Sequence, residues 1–458
     1  MCARVCRHWA AVIQHYDDCI WSTCARCDFE KTTPARRFWS LEFPDPILRR
    51  SWRDMYRITS NWYRRMYTGY FPALDRPDDQ DNLCTVVGSP RDSMFSTSLS
   101  VTATGEIVRS NPTYRSAAGW LTLVLQSPRT GKTCPLDDRS DLTHGHGIVC
   151  HYSDISSHWL VTGGLDGTVA LWDASKRCRV RTWSGHRGRV LCVAIHDQGK
   201  WLLFLVIVSG GSDGRIRVWD LANIIKGAVG HACRRGMIDI SSYLSGRHEW
   251  FQGVGEIAVT GHLVACAPDA TGPVLVFSLL TGSLVYELKT TARSNDQAPS
   301  DSDVTAFSKL CITPFFLLTK GKTQTLTYPT CSETQLDSRE ERMAVPSFYA
   351  PPTSDASFPY SQPCVNVWNL QTGKFVYRLI PVMEKPARYT ITDLRVSPDY
   401  SKVFACLEIQ GRECQELLYC WDFAGCSPGG IDTRPLKLIQ VDEVSPRRST
   451  GKSWACFL

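Results

Sequence analysis

Residues Gly185–Asp220 read GHRGRVLCVAIHDQGKWLLFLVIVSGGSDGRIRVWD, and residues Thr143–Asp173 read THGHGIVCHYSDISSHWLVTGGLDGTVALWD. Laid over each other, Asp166 meets Asp213, Gly167 meets Gly214, and Trp172-Asp173 meets Trp219-Asp220, the two Trp-Asp pairs lying 47 positions apart. Each unit is too small to bury its own apolar face. Repetition at this period therefore implies neighbours stacked side by side around a shared core.

The paired phrases resemble WD repeats, the blades of a β-propeller. That resemblance implies a hydrogen-bond chain in each blade. In the second repeat its members are Asp213, His186, Ser209 and Trp219. In the first they are Asp166, His144, Thr162 and Trp172, with His144 preferred to His146 because Cys150 and Cys192 then fall in the same register. A chain of this kind satisfies buried polar groups together. Ser, His and Asp also suggest a hydrolase, but two equivalent copies mark a structural device rather than one active site. The second repeat is longer by about five residues around 203–207, an apolar insertion that would lengthen or bulge its second strand, or that does not belong to the blade.

Weaker copies flank the pair. Val274–Gly282 reads as a third strand with Phe277 in the Trp place, Val365–Gly373 carries Trp368-Asn369, and Leu417–Phe423 carries Trp421-Asp422 with Val396–Asp399 upstream. Trp120–Leu125 closes a first blade begun at Ser98–Val108, and Ile312–Tyr328 supplies strands for another. The expected fold is an all-β propeller of seven blades over residues 85–440, closed because closure removes exposed sheet edges. Segments 291–303 and 330–363, rich in Ser, Thr, Pro and Asp, are expected to be disordered insertions, and 441–458 a flexible tail.

The first 75 residues differ in character. Val5, Trp9, Val12, Ile13 and Tyr16 share a helical face, and Ile20-Trp21 follows. Val5-Cys6-Arg7-His8-Trp9 with Ile20-Trp21 resembles the end of an F-box, placing partial F-box-like helices over 1–30. A second stripe, Trp52, Met55, Tyr56, Thr59, Tyr63, Met66 and Tyr67, is similar to the linker helix of F-box/WD-repeat proteins, placing linker helices over 31–75. The resemblance implies a substrate-recognition subunit of a cullin-type ubiquitin ligase. Val5, Trp9 and Trp21 would then lie on the side of a Skp-type adaptor and cullin. No leucine-proline start and first helix precede Val5, so the sequence either begins inside the motif or belongs to a protein that has lost adaptor contact. A non-ligase WD-repeat scaffold is the alternative.

On the propeller's upper face, that family clamps phosphate with arginines at positions that here hold Val149, Leu165, Leu191 and Ser212. None is arginine, so a phosphate pocket is not expected in these repeats. Arg187, Arg189, Leu191 and Ser212 remain the expected contacts for an unknown target protein. No enzymatic activity, cofactor or nucleic-acid partner is expected. The net charge of +6 is small for 458 residues. Gly131-Lys132-Thr133 lacks the upstream half of a phosphate loop. Cys24 and Cys27 have ligand spacing but no second pair, so no metal is expected. The longest apolar run, Trp201–Val208, is too short to span a bilayer, and Cys456 is one place too late for prenylation. With no secretory signal and cysteines such as Cys150, Cys192, Cys266 and Cys406 set in apolar runs, the expected location is cytoplasm or nucleus.

Overall fold

The structure is a computed structural model that describes residues 11–12, 15–29, 51–71, 84–88, 100–102, 106–115, 121–126, 133–136, 148–153, 158–197, 205–228, 230–244, 253–268, 273–288, 310–322, 363–383, 388–397, 400–409, 415–424, 437–442 and 452–457. Helices α1 (Asp17–Phe29) and α2 (Trp52–Arg64) lead into strands β1 (Thr68–Tyr70) and β2 (Cys84–Gly88). Blade 1 follows with β3 (Ser100–Val101), β4 (Ile107–Arg115), β5 (Leu121–Gln126) and β6 (Thr133–Pro135). Blade 2 holds β7 (Ile148–Ser153), β8 (Trp159–Gly164), β9 (Thr168–Asp173) and β10 (Cys178–Ser184). Blade 3 holds β11 (Val190–Asp197), β12 (Leu205–Gly211), β13 (Arg215–Asp220) and β14 (Arg234–Asp239), with helix α3 (Leu221–Ile225) between the last two strands. Blade 4 is β15 (Val254–Thr260), β16 (Leu263–Pro268), β17 (Val274–Ser278) and β18 (Leu284–Leu288). Blade 5 is β19 (Leu310–Ile312), β20 (Phe316–Lys322), β21 (Pro363–Asn369) and β22 (Phe375–Leu379). Last come β23 (Tyr389–Val396), β24 (Lys402–Ile409), β25 (Gln415–Asp422), β26 (Lys437–Asp442) and β27 (Lys452–Phe457).

Among the described residues these strands form seven antiparallel sheets. Neighbouring sheets meet through β3, β7, β11, β15, β19, β23 and β2 in turn, and β2 returns to β3, so the ring closes. Closure uses both ends of the chain. β1 pairs with β25 as the outer strand of blade 6, Thr68 opposite Asp422 and Tyr70 opposite Cys420. β2 is the inner strand of blade 7, whose other strands are β27 and then β26. Lys452–Phe457, which the sequence leaves in a tail, is thus the middle strand of a blade. Ile312–Lys322, assigned from sequence to a separate blade, supplies the inner half of the blade that holds Trp368. The segments expected to be disordered lie outside the described residues, except Pro363, which starts β21.

The apolar insertion does not bulge its strand. β12 pairs without interruption from Leu205 to Gly210 with β11, and Val206 to Gly210 with β13. Part of the extra length lengthens the strands instead: where the β7–β8 ladder stops at Ser153 opposite Leu160, the β11–β12 ladder runs on through His196 opposite Val206 and Asp197 opposite Leu205.

Helix α2 is fastened to the end of the ring where the Trp-Asp pairs lie. Ser51 caps it by accepting from the Asp54 N–H. Its apolar stripe buries Met55, Ile58, Thr59 and Trp62. Trp62 stacks on Phe423 with ring centres 3.9 Å apart and 6° between planes, and its indole N–H donates to Tyr400 O at 2.8 Å. Asn61 donates to Phe423 O, and Tyr377 OH donates to Trp62 O. α1 rests on the outer side of α2, with Trp21 against Tyr56 and Phe29 stacked on Tyr63. Truncating Trp62 to Ala removes the stacked contact and leaves a cavity, with an expected loss of about 3–5 kcal/mol in chemical denaturation. An unchanged denaturation midpoint would show that α2 is not part of the folded unit.

Candidate functional site: the blade 2–blade 3 face

The hydrogen-bond chain expected in the second repeat is complete. His186 Nδ1 meets Asp213 Oδ1 at 2.9 Å, His186 Nε2 meets Ser209 Oγ at 2.8 Å, and the Trp219 indole N–H donates to Ser209 Oγ at 2.9 Å. Gly167 and Gly214 hold φ of 80° and 68°, the left-handed turn that the Asp-Gly pairs need. Gly167 O accepts from the N–H groups of both Gly185 and His186 at 2.8 Å, so the turn of blade 2 holds the histidine of blade 3. Burial alone would push the Asp213 carboxyl up. The hydrogen bond and charge of His186, the Arg187 N–H and the Arg217 guanidinium outweigh it and hold the group at about 2.

In blade 2 the Trp172 indole donates to Thr162 Oγ1 at 3.0 Å. Asp166 accepts from the N–H and hydroxyl of Thr168 in its own turn. His144 lies outside the described residues. Sequence reading missed a third pair, Trp368 donating to Thr319 Oγ1 at 2.9 Å in blade 5. Its signal was available: the acceptor stands two residues beyond the one opposite the tryptophan, as Thr162 and Ser209 do. Blade 4 has Phe277 and Cys266 at those two places, so the donor and the oxygen acceptor are lost together. Blade 6 keeps Trp421 but has Ala405 at the acceptor's place, and among the described residues the buried Trp421 N–H has no partner.

The second member of each Trp-Asp pair caps the turn that follows. Asp173 accepts from Lys176 N, Asp220 from Asn223 N, Asn369 from Gln371 N and Thr372 N, and Asp422 from Ala424 N. Asn and Asp serve equally because only an acceptor oxygen is needed. Asp422 also takes the buried ammonium of Lys402.

The four residues expected to meet a target come together at the turn end of blade 3. Ser212 N–H donates to Arg189 O at 2.9 Å, Arg187 N–H donates to Asp213, and Leu191 lies against Gly253 at the start of blade 4. Gly188 packs so closely on Ser212 Oγ that a Cβ there would collide. Of the residues expected to face an adaptor, Val5 and Trp9 lie outside the described residues. Trp21 packs on Tyr56 and donates to Asp17 at 2.9 Å.

A charged group in the channel was not foreseen. Arg395 stands 3.4 Å from Asp393, and its guanidinium is pushed above its usual range first by that carboxylate, with Glu256 and Tyr152 of other blades adding to it. The cysteines of the inner strands are packing groups. Cys150 bonds to Val190 O, Cys192 to Val254 O and Cys311 to Leu394 O, each reaching the next blade. Burial pushes the Cys266 thiol up to about 12 and also drives Cys150 and Cys192 well above their ordinary range. Among the described residues no group of three or more His, Cys, Asp or Glu is placed to hold a metal, and no helix is long and apolar enough to cross a membrane.

The family described as WD domain, G-beta repeat, matches residues 139–173 and 177–220. The chain is 30% identical over 93 residues to Pre-mRNA-processing factor 19 of Caenorhabditis elegans, covering 20% of this chain and 18% of that protein. It is 40% identical over 79 residues to the guanine nucleotide-binding protein subunit beta of Saccharomyces cerevisiae, covering 16% and 18%. It is 38% identical over 65 residues to Mitochondrial division protein 1 of Mycosarcoma maydis, covering 14% and 7%. The chain spans less than a quarter of the length of the curated relatives it matches. Residues 139–173 and 177–220 are WD repeats, and the fold that contains them is a β-propeller preceded by a helical segment.

Two measurements test this account of the blades. The Asp213 carboxyl is held below its ordinary 3.8, so its contribution of about 2 kcal/mol is complete above pH 4 and is lost as pH falls through about 2. Asp213→Asn therefore lowers stability at neutral pH and flattens the acid limb of the stability curve; an acid limb identical to the parent's contradicts the assignment. In blade 6, Ala405→Ser supplies the missing acceptor for Trp421, with an expected gain of about 1 kcal/mol in thermal or chemical denaturation. A loss of stability would mean that the register does not bring the two atoms together.

Proposed function

We propose that this protein is the substrate-recognition subunit of a cullin-type ubiquitin ligase. One observation supports it above the others: the helical segment is anchored to one end of the ring, through Trp62, while Arg187, Arg189, Leu191 and Ser212 gather at the other. A receptor needs this separation, because an adaptor held on the helices then stands at a fixed distance from a target held on the opposite face. Proximity raises the effective concentration of the target's lysines near the charged enzyme, with no chemistry by the propeller itself. Tyr16 and Ile20, four residues apart and exposed at 55% and 39%, offer an apolar contact for a Skp-type adaptor. The free cysteines among the described residues suit work in cytoplasm or nucleus.

The second reading is a WD-repeat scaffold of another complex. The matches to a pre-mRNA-processing factor and to a guanine nucleotide-binding protein subunit favour it, since repeats of this kind serve unrelated assemblies. Affinity capture of the full-length protein, scored for a Skp-type adaptor and a cullin, separates the two. Recovery of both, reduced by Tyr16→Asp with Ile20→Asp, is the expected result. A folded protein that recovers other partners and neither of these contradicts the ligase reading.

A further inference from the structure

The outer flank between blades 2 and 3 carries a second feature that the upper face does not use. On β13, Arg215, Arg217 and Trp219 alternate onto the face turned towards blade 2. On β14, Arg234 stands opposite Trp219, and Met237 opposite Arg217, so they share that face. From blade 2, Trp183 meets Trp219 edge to face at 5.8 Å, and Arg181 reaches to Gly227 just beyond α3, where a Cβ would stand 3.1 Å from its Nη2. The result is a basic flank, its guanidinium groups set around the buried indoles and the α3 residues Leu221 and Ile224 that pack on them.

Its charge is not balanced from within. Asp213 and Asp239 each pair with one arginine, Arg217 at 3.3 Å and Arg215 at 3.4 Å, and Asp220 is occupied capping α3. Arg181, Arg234, Arg235 and Lys226 face no carboxylate within ion-pair distance among the described residues. Burial, together with Arg234 and Arg215, lowers the Arg217 guanidinium below its usual range, against the pull of Asp213. Among the described residues, the buried polar atoms without a partner here, Trp183 Nε1 and Arg217 Nε, are both donors. A flank left with donors and cations asks for an anionic acceptor.

Resting on the reading of the propeller as an interaction platform, we infer that this flank docks an acidic peptide segment, with carboxylates or phosphates on Arg181 and Arg234 and an apolar side chain on Met237. Met237 is 43% exposed, beside the arginines, which gives such a segment an apolar contact. Nucleic acid fits less well, because bases need open aromatic faces to stack on, and Trp183 and Trp219 are buried.

Fluorescence anisotropy on the full chain tests this with three probes: a labelled glutamate peptide containing one leucine, its phosphoserine counterpart, and a single-stranded RNA oligonucleotide. One or both peptides bind and weaken as salt rises. Arg181→Glu with Arg234→Glu weakens binding by about tenfold or more, while Lys374→Glu on the turn of blade 5 leaves it unchanged. Binding of the phosphoserine peptide alone assigns the flank to phosphate. Absence of peptide binding, equal weakening by Lys374→Glu, or tighter RNA binding that depends on the same arginines overturns the inference. The double variant must keep the parent's thermal midpoint. If it loses the peptide but still recovers adaptor and cullin, the flank and the ligase reading are independent. If no parent chain binds peptide yet adaptor and cullin are recovered, only the flank assignment fails.

Discussion

A stack of antiparallel blades has two open edges unless its first and last members meet, and everything else in this molecule depends on how that meeting is made. Here it is made twice. β1 completes blade 6 from outside, and β2 completes blade 7 from inside. Three backbone pairs in β1 are too few to hold by themselves. What holds them is the preceding helix, whose Trp62, stacked between Phe423 and Phe316, fixes the chain six residues before β1 is reached. Helix docking and ring closure are therefore one event. A segment that looks in sequence like a tether is a structural member of the ring.

The same coupling runs around the disc. Gly167 of blade 2 orients His186 of blade 3, and the inner-strand cysteines reach carbonyls on the next blade. Each blade is thus completed by its neighbour. This explains why eroded blades survive: Phe277 in blade 4 loses an indole N–H, but Cys266 removes the acceptor with it, so no polar atom is stranded. Blade 6 is the exception, and beside Trp421 it buries Lys402 against Asp422, where blades 2, 3 and 5 have Trp159, Val206 and Phe316 opposite the equivalent residue.

How much of this was legible follows from where the signals sit. Blades 2 and 3 are readable because their hydrogen-bond chains need particular side chains at fixed spacing, and Trp219 with Ser209 or Trp172 with Thr162 reports its own geometry. Blade 7 is not, because Cys84–Gly88, Lys437–Asp442 and Lys452–Phe457 come from opposite ends and carry no Trp-Asp pair. Leu310–Lys322 and Pro363–Leu379 read as separate because forty positions of largely polar sequence stand between the halves of one blade. The arginine flank was invisible for another reason. The shift between Val218 and Trp219 that brings Arg234 opposite Trp219, and the turn of α3 that brings Gly227 to Arg181, are properties of strand register and not of sequence spacing.

Amide hydrogen exchange across Gln415–Asp422 is the most direct test of the closed ring. In the intact chain β1 covers the outer edge of β25 at Cys420–Asp422, so the amides there that face β1 are protected to nearly the level of the neighbouring β24. With Thr68→Pro and Tyr70→Pro, the pairing is broken and that protection falls selectively on β25, leaving blades 2 and 3 unchanged. Equal protection of β25 in the parent and the proline variant would contradict the claim that the N-terminal segment closes the propeller.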